Sequence, residues 1–293
     1  MVAYLNGRYV DEDEATISPR DRGIQFADGV YEVIRSYNGI PFELQAHLQR
    51  LQRSLRELRI EFDPPEDPGH VCRQLLSRNE IEWQPARVYM HVTRGTYKRG
   101  HGFPPAGTAP NIYAEVTVFE PDERVQEHGV SVAVLPDQRW ARCDIKSLAL
   151  LPNVLAYQTA RERGAFEAVL TRDGMVTEAS HNSVGVVKDG TVIAPHLSNY
   201  VLPSITRQVV SQLCDENDVP FEEGIVTEEL LRNADEAMIW GTGAEIAPIV
   251  RVDGDRVYDG KPGPVTRKLQ KAFRRYVSEQ TGAPPGREPS RGD

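Results

Sequence analysis

Four dipeptides constrain this chain more than anything else in it: Asn38-Gly39, Asp173-Gly174, Asp189-Gly190 and Asp253-Gly254. Each suits a type I′ turn, in which both central residues take positive φ, and each stands between strand-like segments. Four hairpins commit much of the chain to antiparallel sheet. Helical periods are interleaved with them. In "HLQRLQRSLRELRI", Leu48, Leu51, Leu55 and Leu58 share one face. A second helix is expected over 68–78, a third from near Pro152 to Gly164, and a fourth in "SITRQVVSQLCDEN". In "VTRKLQKAFRRYV", Val265, Leu269, Phe273 and Val277 recur at helical spacing. Strands are expected at "ARVYMHVT", "NIYAEVTVF" and "VSVAVLP". Strands and helices mixed in this way indicate an α+β class.

The length, 293 residues, allows one large domain or two ordinary ones. The polar, strandless "EPDERVQEHG" places a linker at 120–129. It divides an N-terminal domain, 1–119, from a larger one, 130–280, that carries Lys146. The Pro/Gly-rich residues 281–293 read as a disordered tail.

A net charge of −9 argues against a nucleic-acid partner, whose phosphates need a basic face. No apolar run approaches the ~20 residues that cross a bilayer, so no membrane role is expected. The first residues lack a charged-then-apolar leader pattern. Cys72, Cys143 and Cys214 are odd in number and widely separated, which suits reduced thiols and a cytoplasmic location. None of the seven histidines pairs at i, i+3 or i, i+4, so no metal site is expected. Phosphate-loop, nucleophile-elbow and dinucleotide-binding motifs are missing too.

The lysines narrow the chemistry. There are six against 28 arginines, and five of them lie in basic, turn-like or charged helical stretches. Lys146 differs. It sits in "RCDIKSLALLPNVLA", with Leu148, Leu150 and Leu151 after it and no acid in the next 15 positions. A lysine withdrawn from water loses preference for its charged form, and the neutral amine is a nucleophile. The same pattern also fits a lysine snorkelling at a helix entrance.

A lysine that forms a Schiff base with pyridoxal phosphate needs an acid for the ring nitrogen, donors for the phosphate and a cation for the substrate carboxylate. Glu178 in "MVTEASHNS" offers the acid, although strand ends often carry a surface glutamate. Ser204-Ile205-Thr206 opens a helix whose first amides can face an anion or be merely capped. "GTG" at 241–243 can bring amides to a phosphate or make a plain turn. Arg99 and His101 share one loop, for which a solvated basic surface is the simpler explanation. Arg50, among Arg53, Arg56 and Arg59, is inseparable by pattern from a charged helix face.

Together these segments resemble the fold-type IV pyridoxal-phosphate enzymes (class-IV aminotransferases), and within them the bacterial D-amino-acid aminotransferases. The matching runs are "DRGIQFADGVYEVIRSYNG", "HVTRGTYKRGHGFP", "RWARCDIKSLALLPNVLA", "VTEAS", "ITRQVV" and "GDRVYDGKPGPVTRKLQK", in family order from near residue 20 to near residue 275. The resemblance implies two domains, a small α+β N-terminal one and a larger C-terminal one with a barrel-like β core, with the cofactor between them. It implies that Lys146 carries the Schiff base and shuttles the proton. Glu178 faces the pyridine nitrogen. Arg50, Ile205, Thr206 and Thr242 bind the phosphate. Tyr31, Arg99 and His101 trap the carboxylate of a D-amino acid. A homodimer is implied as well, the Arg99 loop reaching the neighbouring subunit. The expected reaction is ping-pong: D-alanine and 2-oxoglutarate give pyruvate and D-glutamate.

The chain departs from the family pattern at Ala179, His181, Asn182 and Ser183, at Pro203-Ser204, and in "WGTGAE" from Gly241 on. Another fold-type IV enzyme would keep Lys146 and Glu178: an L-branched-chain aminotransferase, an R-selective amine transaminase or an aminodeoxychorismate lyase. Arg99-Gly100-His101 favours D-amino acids. A cofactor-binding scaffold without turnover is opposed by the intact lysine, acid and carboxylate trap.

Overall fold

The computed structural model describes residues 1–284, which form two compact units. One comprises Met1–Glu120 together with Ile145–Leu150. The other comprises Pro121–Asp144 and the chain from Leu151 onward.

The first unit contains β1 (Val2–Leu5), β2 (Arg8–Asp11), α1 (Arg22–Phe26), β3 (Gly29–Tyr37), β4 (Ile40–Pro41), α2 (Leu44–Glu57), α3 (Pro68–Arg78), β5 (Ala86–Thr93) and β6 (Asn111–Val118). Its antiparallel sheet runs β2-β1-β6-β5-β3-β4. Alternation along the strands sends Val30, Ile34, Val88, Met90, Val92, Ile112 and Val116 to one face. There they pack with Leu51 and Leu55 of α2 and Val71, Leu75 and Leu76 of α3. The opposite face carries Tyr31, aligned with His91 on β5 and Tyr113 on β6. Asn38 and Gly39 both have positive φ, so the β3–β4 hairpin forms where the dipeptide predicts it.

The second unit contains α4 (Glu123–His128), β7 (Val130–Pro136), α5 (Leu151–Glu162), β8 (Glu167–Arg172), β9 (Met175–Ala179), β10 (Ser183–Lys188), β11 (Thr191–Pro195), α6 (Ile205–Glu216), β12 (Phe221–Gly224), α7 (Glu228–Arg232), β13 (Glu236–Gly241), β14 (Glu245–Val252), β15 (Asp255–Arg256) and α8 (Pro264–Thr281). Its sheet runs β12-β11-β10-β13-β14-β7-β8-β9, with β15 added on β14. The strands β7, β8 and β14 are parallel neighbours and most other pairs are antiparallel. The sheet curls, and β9 and β10 are joined by a short turn in which the Ala179 amide donates to the Asn182 carbonyl at 2.8 Å. Val169, Val184, Val186, Ile239 and Ile249 fill the concavity as its apolar core. This is the barrel-like β core expected of the fold class.

Residues 120–129, placed as a polar, strandless linker, include the short α4, whose start is capped by the Asp122 carboxylate accepting from the Arg124 amide. Lys146, read within 130–280, lies in a six-residue segment grouped with the first unit. The cause is backbone pairing. The Tyr31 amide donates to the Lys146 carbonyl and the Leu148 amide to the Gly29 carbonyl, both at 3.0 Å, so the segment runs antiparallel to β3. Of the expected tail, Thr281 closes α8, and residues 285–293 lie outside the described residues.

Candidate active site

In the first unit, the pairing with β3 fixes Lys146 beside Tyr31. The lysine is half-buried, its backbone amide donates to the Ser54 hydroxyl at 3.3 Å, and its Nζ lies 4.3 Å from the centre of the Tyr31 ring. A cation over an aromatic face is attracted by the ring quadrupole. Gly29, at the start of β3, lies between β5 and this segment: a Cβ there would stand 2.6 Å from the Val92 carbonyl oxygen of β5 and 2.8 Å from a Leu148 methyl.

Arg50 is buried on α2. Its Nε and Nη2 donate to the two oxygens of Glu32 at 2.7 and 2.8 Å, and Nδ1 of His47 lies 2.8 Å from the same carboxylate. Burial alone would raise the Glu32 pKa, but the Arg50 charge and hydrogen bonds, with help from His47, bring it to about 2. Burial pushes His47 below its ordinary value despite Glu32. Arg50 is thus a rigid cation shared with an internal acid. Arg99 and His101 lie exposed on the long β5–β6 loop of this unit, stacked on Phe26 of α1.

In the second unit, Glu178 is buried near the end of β9. Arg139, on the loop after β7, forms a close ion pair with it, and the Leu202 amide donates to its other oxygen at 3.1 Å. Asp137 holds Arg139 through two further hydrogen bonds at 2.9 Å. A carboxylate held in this way can act as acceptor for a ring N–H.

The amides of Ile205 and Thr206 open α6 and have no acceptor among the described residues. Ser204 is the N-cap, its hydroxyl accepting from the Arg207 amide at 3.2 Å. So the Pro203-Ser204 departure builds an ordinary helix start and leaves the first two donors available to an anion. Thr242 sits in the tight β13–β14 turn, where Gly241 pairs with Glu245. Two further departures fit each other: a Cβ on Gly241 would lie 2.4 Å from Oδ1 of Asn182. The Asn182 amide in turn donates to the buried Glu167 at 2.7 Å, and the exposed His181 lies 2.9 Å from that carboxylate.

Glu32, His47 and Arg139 were not singled out in the sequence. Glu32 had a readable signal, because alternation along "VYEVIRSY" puts it on the inward face with Val30 and Ile34. His47 and Arg50 are then i, i+3 neighbours on the helix that covers it. Arg139 had none, since Glu178, the acid it holds, is 39 positions away.

The family model described as Amino-transferase class IV matches residues 29–252. D-alanine aminotransferase of Staphylococcus haemolyticus is 40% identical over 279 residues, 95% of this chain and 98% of that protein. That of Bacillus licheniformis is 40% identical over 282 residues, covering 96% and 99%. Among solved structures, the branched-chain aminotransferase of Thermoproteus uzoniensis with norvaline superposes with a TM-score of 0.85 at 27% identity, covering 96% of this chain and 95% of that one.

Proposed function

Because the chain belongs to the class IV aminotransferases, we propose that it is a pyridoxal-phosphate-dependent D-amino-acid transaminase in which Lys146 anchors the cofactor. The observation that carries the reading is 40% identity to D-alanine aminotransferases over 95% of the chain, against 27% to a branched-chain enzyme of the same fold. When bound, pyridoxal phosphate supplies a ring that withdraws electrons from the substrate α-carbon. The donor set suits it. Lys146 is a half-buried amine fixed through its own backbone, Glu178 is a buried carboxyl for the ring nitrogen, the amides of Ile205 and Thr206 offer donors for a phosphate, and Thr242 and Arg50 are its further ligands.

With the cofactor bound, Lys146 Nζ would accept and hold the α-proton, so one side chain would serve both half-reactions. Glu178, held by Arg139 and Leu202, would accept a hydrogen bond from the ring N–H. Tyr31, Arg99 and His101 clamp the substrate carboxylate and so decide which face of the α-carbon meets Lys146. D-alanine and 2-oxoglutarate yield pyruvate and D-glutamate. The enzyme acts as a homodimer whose Arg99 loop completes the neighbour's site, and three unpaired, buried cysteines support a cytoplasmic location.

One set of variants tests this. Lys146→Ala should fold but lose multiple turnover, and Arg99→Ala should raise the KM for D-alanine. Co-expressed, they should recover about a quarter of wild-type activity at low substrate, since half the dimers are mixed and each has one intact site. Sustained turnover by Lys146→Ala refutes its role. No recovery on mixing refutes the shared loop.

A further inference from the structure

The segment "DRGIQFAD" carries no role in the chemistry above, yet its side chains converge on the Arg99–His101 loop. Arg22 of α1 is buried. Its Nη1 donates to the carbonyls of Gly100 at 2.8 Å and Gly102 at 3.2 Å, the two that flank His101. Its Nε donates to Asp28 at 2.7 Å. The Phe26 ring lies 4.8 Å from the Arg22 guanidinium, 4.7 Å from that of Arg99 and 5.6 Å from the imidazole of His101. One side chain thus holds the backbone on both sides of His101, and one ring supports the side chains of Arg99 and His101.

The loop is held from its far end as well. Phe103 packs under Arg94 at 3.8 Å and Arg59 at 4.8 Å. Arg94 donates to both oxygens of Asp28, at 2.8 and 2.9 Å, and to the carbonyls of Leu58 and Arg59 just beyond α2. Asp28 therefore receives two arginines, one holding each half of the loop. At the loop's base, Asp21 accepts from the hydroxyl of Thr93, the amide of Gly23 and the side chain of Asn111. A fork that spans one carboxylate and two carbonyls is a geometry lysine lacks.

We infer that Arg22, oriented by Asp28 and aided by Phe26, is the positioning residue of the loop, presenting Arg99 and His101 to the substrate carboxylate. The inference rests on the carboxylate role assigned to that loop. It adds that the clamp is set from α1, by residues that touch neither substrate nor cofactor. Loss of the clamp leaves the chemistry intact and degrades substrate capture, because the guanidinium and imidazole no longer meet the carboxylate in one fixed geometry.

The test compares Arg22→Lys and Phe26→Leu with the wild type and with Arg99→Ala, all as holoenzyme. Two readouts are taken: the rate of tryptic cleavage after Lys98 and Arg99, and KM and kcat for D-alanine. Both positioning variants should be cut in the loop about tenfold faster or more, and should show a KM raised about tenfold with kcat within about twofold. Cofactor absorbance should be unchanged. Wild-type cleavage rates together with wild-type KM in either folded variant would overturn the inference. If Arg99→Ala itself leaves KM unchanged, the carboxylate reading fails instead, and the cleavage rates alone still decide whether Arg22 holds the loop.

Discussion

Arg50 shows how far pattern alone reaches at the scale of a residue. Four arginines follow one another at three-residue spacing from Arg50 to Arg59, and spacing cannot rank them. Burial ranks them, because only Arg50 of the four is enclosed, and it is enclosed with an acid. The acid itself was legible from its inward position on β3. Its energetics lead to a prediction. The Glu32 carboxyl has a folded-state pKa of about 2 against an ordinary value of 4.5. A depressed carboxylate contributes stability that is complete above the unfolded pKa and is lost as pH falls towards the folded one. Wild-type stability should therefore decline between about pH 4.5 and pH 2, in urea titrations stepped through that range. In Glu32→Gln, that part of the decline should be missing, and the neutral-pH stability should fall by about 3–5 kcal/mol because Arg50 stays buried without its counter-charge. An unchanged neutral-pH stability in the variant would show that the ion pair contributes little.

Elements were easier to read than their neighbours in space. The spans of α3, β5 and β7 follow directly from periodicity, and all four Gly-containing dipeptides sit at hairpins with both residues at positive φ. The short α1 and α7, five residues each, were not seen, because too few turns repeat for a period to show. The placement of Lys146 beside Tyr31 was invisible for another reason. It depends on backbone pairing across more than a hundred positions, and hydrogen bonds between main chains leave no side-chain signature. Gly29 marks that contact. Gly29→Ala would press a methyl against the Val92 carbonyl of β5 and against a Leu148 methyl of the Lys146 segment, so β3 must shift against β5 and Leu148 must turn aside. Such overpacking costs about 1–3 kcal/mol. A lower thermal midpoint with a kcat reduced more than in a core variant of equal stability is the expected result. A drop in stability without any specific loss of kcat would show that the pairing serves only the fold.

At the scale of the whole molecule, the resemblance succeeded where separate residues stayed ambiguous. Each candidate had a plain structural explanation, but six runs in family order over most of the chain do not arise by chance together. Identity of 40% across 95% of the length agrees with that order. The site departures at Asn182, Gly241 and Ser204 also make sense within the second unit, where each is matched by a local partner or forms a regular helix cap. The hand of the substrate is the central claim, and it is read most directly from cofactor absorbance. Purified holoenzyme is given D-alanine in one cuvette and L-leucine in another, and 2-oxoglutarate is then added. Bleaching of the cofactor band by D-alanine alone, reversed by 2-oxoglutarate, is the expected result. Bleaching by L-leucine with no response to D-alanine would contradict it, placing the chain with the branched-chain enzymes whose fold it shares.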